Sequence, residues 1–249
     1  KNDIEKILLN YGQPFMDSSA IPSYYVSKEA KKHVTVILNG DGADELFGGY
    51  RRYVPSANGI LNIASYFSFL TKVLPKPHNK KSLYNYLFRL LTISGKKDLD
   101  FYISSTTDLF EDEYLFKPNY IFEKMNKLIK DTSLDPLSKM LYLDSKMLLF
   151  SDLLVKMDIA TMANSIEGRS PFLSKYMLEF APTLKNEYKI KGKNTKYILR
   201  ELSKKYLPVE LITQPKRGFE VPLKKWVESD LKNNIFESLS NNSYSSNFV

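Results

Sequence analysis

The run VTVILNGDGADELFGGY, residues 34–50, limits what this chain can become more than any other stretch. Residues 34–38 are four β-branched side chains and a leucine without a charge, the composition of a strand buried on both faces of a parallel sheet. The next seven residues, 39–45, hold three carboxylates and two glycines at the carboxyl end of that strand, where ligands sit in open α/β sheets. Gly40 and Gly42 permit a sharp turn and a close backbone approach, with peptide N–H groups able to face a phosphate. Carboxylates alone would repel that phosphate. Mg²⁺ resolves the conflict, because it prefers oxygen ligands and shares one or two carboxylates with substrate phosphates. Asp41 and Asp44, three apart, lie on one side of a helix that starts near Gly42. The same acids also suit an ordinary helix start, where they meet the positive end of the helix dipole, so spacing leaves both readings open.

Around this stretch the pattern is one turn of an α/β wind followed by helices. Residues 3–11 carry isoleucine and leucine at helical spacing and are closed by Gly12 and Pro14. Asp17, Ser18 and Ser19 offer caps for a second helix, led by Pro22 and running to His33, which feeds the strand. Downstream, apolar stripes of helical period cover 60–74, 83–93, 99–110, 121–129 and 137–150, punctuated by Pro75, Pro77, Gly95, Pro118 and Pro136. Residues 152–169 read as a further helix with Lys156 and Asp158 among apolar neighbours, and a charge carried inward there needs an ionic partner or a ligand. Asn194 or Thr195 caps a helix over 196–206, and QPKRGFEVP forms a loop bearing Lys216 and Arg217. A helix over 222–239 precedes a polar tail. The expected organisation is a sheet-associated segment, 1–58, a mainly helical portion, 59–240, and the tail, 241–249.

A net charge of +8 raises the question of a nucleic-acid partner. The basic residues are spread over polar helix faces and connectors, and no nucleic-acid-binding module accompanies them, so no specific nucleic acid is expected. The aromatics of SLYNYLFRLL fall on an apolar stripe and read as core packing. The chain has no cysteine, which excludes disulfides, thiolate metal sites and a cysteine nucleophile. No apolar run is long enough to span a bilayer and no signal peptide opens the chain, so a cytoplasmic location without membrane attachment is the expectation. The chain starts at Lys1 inside a helical pattern, as a piece of a longer protein would.

NGDGADELFGGY resembles the SGEGADELFGGY signature of the ammonia-ligating domain of asparagine synthetases, with Asn39 for the usual serine and Asp41 for the usual glutamate. PFMDSSAIPSYYVSKEA at 14–30, DLLVKMDIATMANSIEGRSPFL at 152–173, and KYILRELSKKYLP with QPKRGFEVPLKKW within 196–226 match the same family in the same order. The resemblance implies part of an adenine-nucleotide-hydrolase-like parallel sheet with a predominantly helical C-terminal portion. It also implies ATP and Mg²⁺ as cofactors and adenylation of a carboxylate, that of the aspartate side chain, followed by attack of ammonia to give the amide, AMP and pyrophosphate. By that resemblance Asp44 holds Mg²⁺, Lys216 offsets phosphate charge, Asp41 stands where a glutamate is associated with proton handling, and Asn39, Gly40 and Gly42 line the nucleotide. Glu45, Asp152, Lys156, Asp158 and Arg217 complete the candidate set, and the Glu167-x-Arg169 element is taken as structural.

Two parts of the family's machinery are not in this sequence: the SGGxDS pyrophosphate loop and the cysteine-led glutaminase domain that supplies ammonia. The 249 residues alone are therefore expected to be inactive, with ammonia coming from a glutaminase domain outside them. A homodimer fits the resemblance. The departures at Asn39, Asp41 and Ser174 leave room for a related ligase that amidates a sugar acid or closes a β-lactam, and a non-catalytic scaffold is the reading from another class.

Overall fold

The computed structural model describes residues 2–77, 79, 82–106, 120–130, 132–212, 214, 221–229 and 231–240. In chain order the elements are α1 (Asn2–Leu9), α2 (Ala20–Ala30), β1 (Val36–Leu38), α3 (Ala43–Phe47), α4 (Val54–Ala57), α5 (Ile60–Ser65), α6 (Leu83–Ser94), α7 (Asp98–Thr106), α8 (Tyr120–Ile129) and α9 (Pro136–Leu143). A π-helical stretch, Asp144–Leu153, runs into α10 (Leu154–Met162), followed by β2 (Glu167–Arg169), α11 (Lys175–Phe180), α12 (Asn186–Lys189), α13 (Tyr197–Ser203), α14 (Val209–Ile212), α15 (Leu223–Glu228) and α16 (Lys232–Ser240). The mostly helical α/β character matches the expectation. The described strands are two, paired in parallel, which is less than a nucleotide-hydrolase-like sheet. The chain forms two compact units: 1–37 with 156–168 and 215–249, and 38–155 with 169–214.

The first unit is built on α1 and α2: Ile7 of α1, Ala20, Ile21 and Tyr24 of α2, and Tyr11 between them form one buried cluster with Ile159 and Trp226 packed against it. Lys156 is the charged residue of 156–158 that is carried inward. Its ammonium pairs with Asp17 at 2.7 Å and with the Ser19 hydroxyl at 2.8 Å, while Asp158 stays exposed. Burial pushes the Asp17 carboxyl up, but hydrogen bonds from Lys156 and Ser19 outweigh it and hold the group below its ordinary value.

The second unit carries apolar clusters around Tyr53, Leu61, Leu137 and Met140, around Leu99, Tyr102, Met125 and Leu143, and around Leu46, Phe47 and Ala181. At its centre is Asp144, fully buried at the start of the π-helical stretch. Its carboxylate accepts from Arg52 Nη2 at 2.5 Å, from the Tyr102 hydroxyl at 2.8 Å and from the Tyr53 hydroxyl. A buried carboxylate needs such partners, and here they join the residues after α3 to α7 and to the chain after α9.

Several expectations are corrected. The strand is three residues long rather than five and is not buried on both faces: Val36 is 40% and Leu38 68% exposed. Burial on both faces requires layers on both sides, and β1 has β2 as its one strand neighbour among the described residues. The helix read over 152–169 ends at Met162, where Ser165 takes a left-handed φ of 55° and the Ile166 amide returns to the Thr161 carbonyl at 3.0 Å. That reversal sends Glu167–Arg169 into β2, a strand not foreseen. The 60–74 stripe breaks after α5, which ends at Ser65, into a 3-10 turn, Ser68–Lys72. The 222–239 helix is split at Ser229, which leaves helical geometry at φ −124° and ψ −85°. Lys196, not Asn194 or Thr195, caps α13, without a side-chain bond. Residues 107–110 of the third stripe, Lys216, Arg217 and the polar tail lie outside the described residues.

Candidate active site

The acidic turn follows directly from the end of β1 within the second unit. Asn39 extends the ladder, its amide donating to the Arg169 carbonyl at 2.9 Å, and its side-chain oxygen accepts from the Asp41 amide at 3.3 Å and from the Ser170 hydroxyl. This Asx-type closure explains locally why an asparagine serves at 39: its carbonyl spans the turn and meets the serine that follows β2. Gly42 is the glycine the turn requires. Its φ is 88°, and a Cβ there would lie 2.3 Å from Leu173 Cδ2, whereas a Cβ at Gly40 would meet nothing within 4 Å.

α3 then presents its carboxylates in different directions. Asp44 pairs with Lys196 at 3.0 Å, the two side chains being 21% and 27% exposed. The turn after α3 packs against this pair: a Cβ on Gly49 would lie 1.7 Å from Asp44 Oδ1 and 2.5 Å from Lys196 Cε. The backbone adds a second tie, since the Lys196 amide donates to the Gly48 carbonyl at 3.3 Å. Lys196 has φ 51°, a left-handed conformation that costs a side-chain-bearing residue about 1–2 kcal/mol. The structure holds this lysine in place against a local preference.

Glu45, by contrast, is 1% exposed and accepts a hydrogen bond from Tyr50. Burial pushes its carboxyl up, and the Tyr50 bond offsets only part of the rise. Burial, together with the Glu45 charge, pushes the Tyr50 phenol up, so Tyr50 remains a neutral donor. Among the described residues no group of three or more histidine or acidic side chains is placed to hold a metal ion. A site that relies on substrate phosphate for most of its metal ligands needs no such group.

Of the sequence candidates, Asn39, Gly40, Asp41, Gly42, Asp44 and Glu45 therefore share one turn, Asp152 lies half-buried in the π-helical stretch, and Lys156 and Asp158 belong to the first unit. Two residues were missed. In the sequence Lys196 marks only a helix start at the head of KYILR, and its partner Asp44 lies 152 residues away. Asp17 reads locally as a helix cap; the signal for its pairing is that it is an acid in one family stretch while Lys156 is an inward-carried cation in another.

These features define a mostly helical α/β protein with an acidic, lysine-paired turn at the carboxyl end of a parallel strand. The chain belongs to the asparagine synthase family, whose model matches residues 1–249. It is 32% identical to asparagine synthetase [glutamine-hydrolyzing] 1 of Bacillus subtilis over 98% of this chain and 40% of that protein. It is also 32% identical to a putative asparagine synthetase [glutamine-hydrolyzing] of Mycobacterium bovis, over 91% of this chain and 36% of the relative. A shorter match, 51% identical over 51 residues, is to a putative asparagine synthetase [glutamine-hydrolyzing] 2 of Methanocaldococcus jannaschii. The chain thus spans about two fifths of the length of the first of these relatives. No solved structure matches it.

Proposed function

We propose that this chain contributes the acidic turn of an ATP-dependent carbon–nitrogen ligase that adenylates the side-chain carboxylate of aspartate and transfers ammonia to it. The observation that carries the reading is the Asp44–Lys196 pair at the tip of β1. A carboxylate resists nucleophiles because it must expel an oxide, and adenylation replaces that leaving group with AMP. The protein's part is to offset charge on the α-phosphate and on the departing pyrophosphate.

Asp44 is a hard oxygen donor with part of its carboxylate open to solvent, which suits Mg²⁺ held mainly by phosphate oxygens. Bound there, the ion would neutralise phosphate charge as a Lewis acid. Lys196 balances Asp44 in the chain as it stands and, on this reading, donates to a phosphoryl oxygen of the nucleotide when it binds beside the turn. Lys216 is assigned a second phosphate-facing cation by its family stretch. Asn39, Gly40 and Gly42 shape the backbone that meets the nucleotide, and Asp41 handles the proton released as ammonia attacks, with one methylene less reach than a glutamate. Ammonia comes from glutamine hydrolysis outside these 249 residues, and the chain alone forms no AMP from ATP and aspartate.

The test is pyrophosphate release by the full-length protein with ATP, Mg²⁺ and ammonia, offered aspartate or a uronic acid. Aspartate is expected to support turnover, with Asp44→Asn lowering kcat/KM by about a hundredfold or more, the scale of losing a transition-state charge contact. Turnover with the uronic acid alone would move the protein to the sugar-acid branch. An Asp44→Asn enzyme as fast as the parent would remove the basis of the assignment.

A further inference from the structure

Residues 46–97 contain nine lysines and arginines and not one aspartate or glutamate, in a chain whose net charge is +8. The stretch carries no carboxylate to neutralise itself, so its positive field has to be met from outside. Arg52 finds Asp144, whereas Lys72, Lys96 and Lys97 are exposed.

The same stretch leaves large apolar side chains in solvent. Helical spacing puts Leu83, Tyr86, Leu87, Leu90 and Ile93 on one stripe of α6. Leu90 and Ile93 pack against the cluster around Tyr53, but Leu83, Tyr86 and Leu87 stay exposed, Leu83 by 73%. The stripe outruns the core that covers its second half. The 3-10 turn Ser68–Lys72 and the residues after it run along α6. A Cβ on Gly95, just past the end of α6, would lie 2.9 Å from Ser68 Cβ, and the Tyr84 hydroxyl in its first turn donates to the Pro75 carbonyl. Tyr66 and Val73, which flank the 3-10 turn, are each 80% exposed, and Phe69 within it is exposed too.

A second copy of this surface would set like charge against like, which disfavours it as the occupant. Side chains that stand four fifths in solvent need a partner that closes round each of them, and a lipid layer does so without a matching shape. Aromatic and aliphatic groups beside lysines are the composition that seats a protein at the boundary of head groups and acyl chains, with each nearby cation adding attraction to anionic lipid.

We propose that the segment 66–73 and the first half of α6 bind an anionic lipid layer, their apolar side chains entering the acyl boundary and the lysines of the acid-free stretch meeting the head groups. The attachment is peripheral, since no described helix is long and apolar enough to cross a membrane. It is independent of the adenylation reading and needs neither ATP nor Mg²⁺.

Co-sedimentation of the full-length protein with vesicles of phosphatidylcholine, alone or with about one third phosphatidylglycerol, tests this. Binding to the anionic vesicles is expected to be at least about tenfold tighter than to the neutral ones and to weaken as salt rises. Val73→Ser combined with Leu83→Ser, both at exposed positions and checked for fold by circular dichroism, should weaken it about tenfold or more. Lys72→Gln combined with Lys97→Gln should weaken it about tenfold. Tyr176→Ser, at a side chain of α11 that is 83% exposed, should leave it unchanged. Should the serine pair disturb the fold, Leu83→Trp reads insertion directly, as an emission blue shift with anionic vesicles beyond that of the parent. Absence of vesicle binding, equal binding to both vesicles, indifference to the serine or glutamine pair, an equal loss in Tyr176→Ser, or no added blue shift would each overturn the proposal. So would a parent dimer that the serine pair converts to monomer, which would give the surface to a second copy.

Discussion

Replacing Asp144 with alanine tests how the acidic turn is anchored. The Asp144 carboxylate is inaccessible to solvent and is shared by the guanidinium of Arg52, 2.5 Å away, and the phenols of Tyr53 and Tyr102. Arg52 and Tyr53 stand only a few residues beyond α3, so this cluster fastens the chain that leaves the turn. Asp144→Ala leaves a guanidinium with 22% side-chain exposure and two phenols without their acceptor. Removing one partner of a buried pair costs about 3–5 kcal/mol, against roughly 5–15 kcal/mol for a whole domain. Tyr102→Phe removes a single donor to a charged acceptor and should cost about 1.5–3 kcal/mol. Urea unfolding followed by far-UV circular dichroism measures both. A loss under about 1 kcal/mol for Asp144→Ala would show that the cluster does not hold the unit together, because even one unmet buried donor exceeds that figure.

Gly49→Ala should lower stability by about 1–3 kcal/mol, the cost of overpacking, because its Cβ would stand 1.7 Å from Asp44 Oδ1 and 2.5 Å from Lys196 Cε, so that both members of the pair must shift. Gly40→Ala, which meets nothing within 4 Å, should change stability by under about 0.5 kcal/mol, and thermal melts of the two variants decide the matter. The Asp17–Lys156 pair should show in the acid limb of the stability curve. A carboxyl held below its ordinary value contributes stability that is complete above the unfolded-state value and is lost as pH falls through the folded-state value. Asp17→Asn should therefore be about 2 kcal/mol less stable than the parent at neutral pH and converge with it in acid, and denaturant midpoints across that range would expose a parallel offset if the pair is unimportant.

The turn itself was legible because its chemistry is local. Glycine at 42, where φ is positive and a side chain would strike Leu173, and asparagine at 39, which closes the turn through its own side chain, act within a few residues of chain. Apolar periodicity likewise placed α6 and α8 close to their observed bounds, since a helix face is written at fixed spacing, whereas the 137–150 stripe runs past the end of α9 at Leu143 into the π-helical stretch. The fate of each carboxylate was not legible. Asp44 and Glu45 are adjacent and look alike as letters, yet one meets Lys196, 152 residues later, and the other turns inward to Tyr50.

By itself the sequence determined the family, the strand with its acidic turn, and the helical remainder, because these rest on short-range patterns and on four stretches in a fixed order. Tertiary structure alone decided that Glu167–Arg169 pairs beside β1, that Asp144 draws three distant donors to one buried carboxylate, and that Lys196 faces Asp44. Hydrogen bonds and ion pairs act over about 3 Å of space whatever the separation along the chain. Their partners are therefore settled only once packing has brought remote segments together.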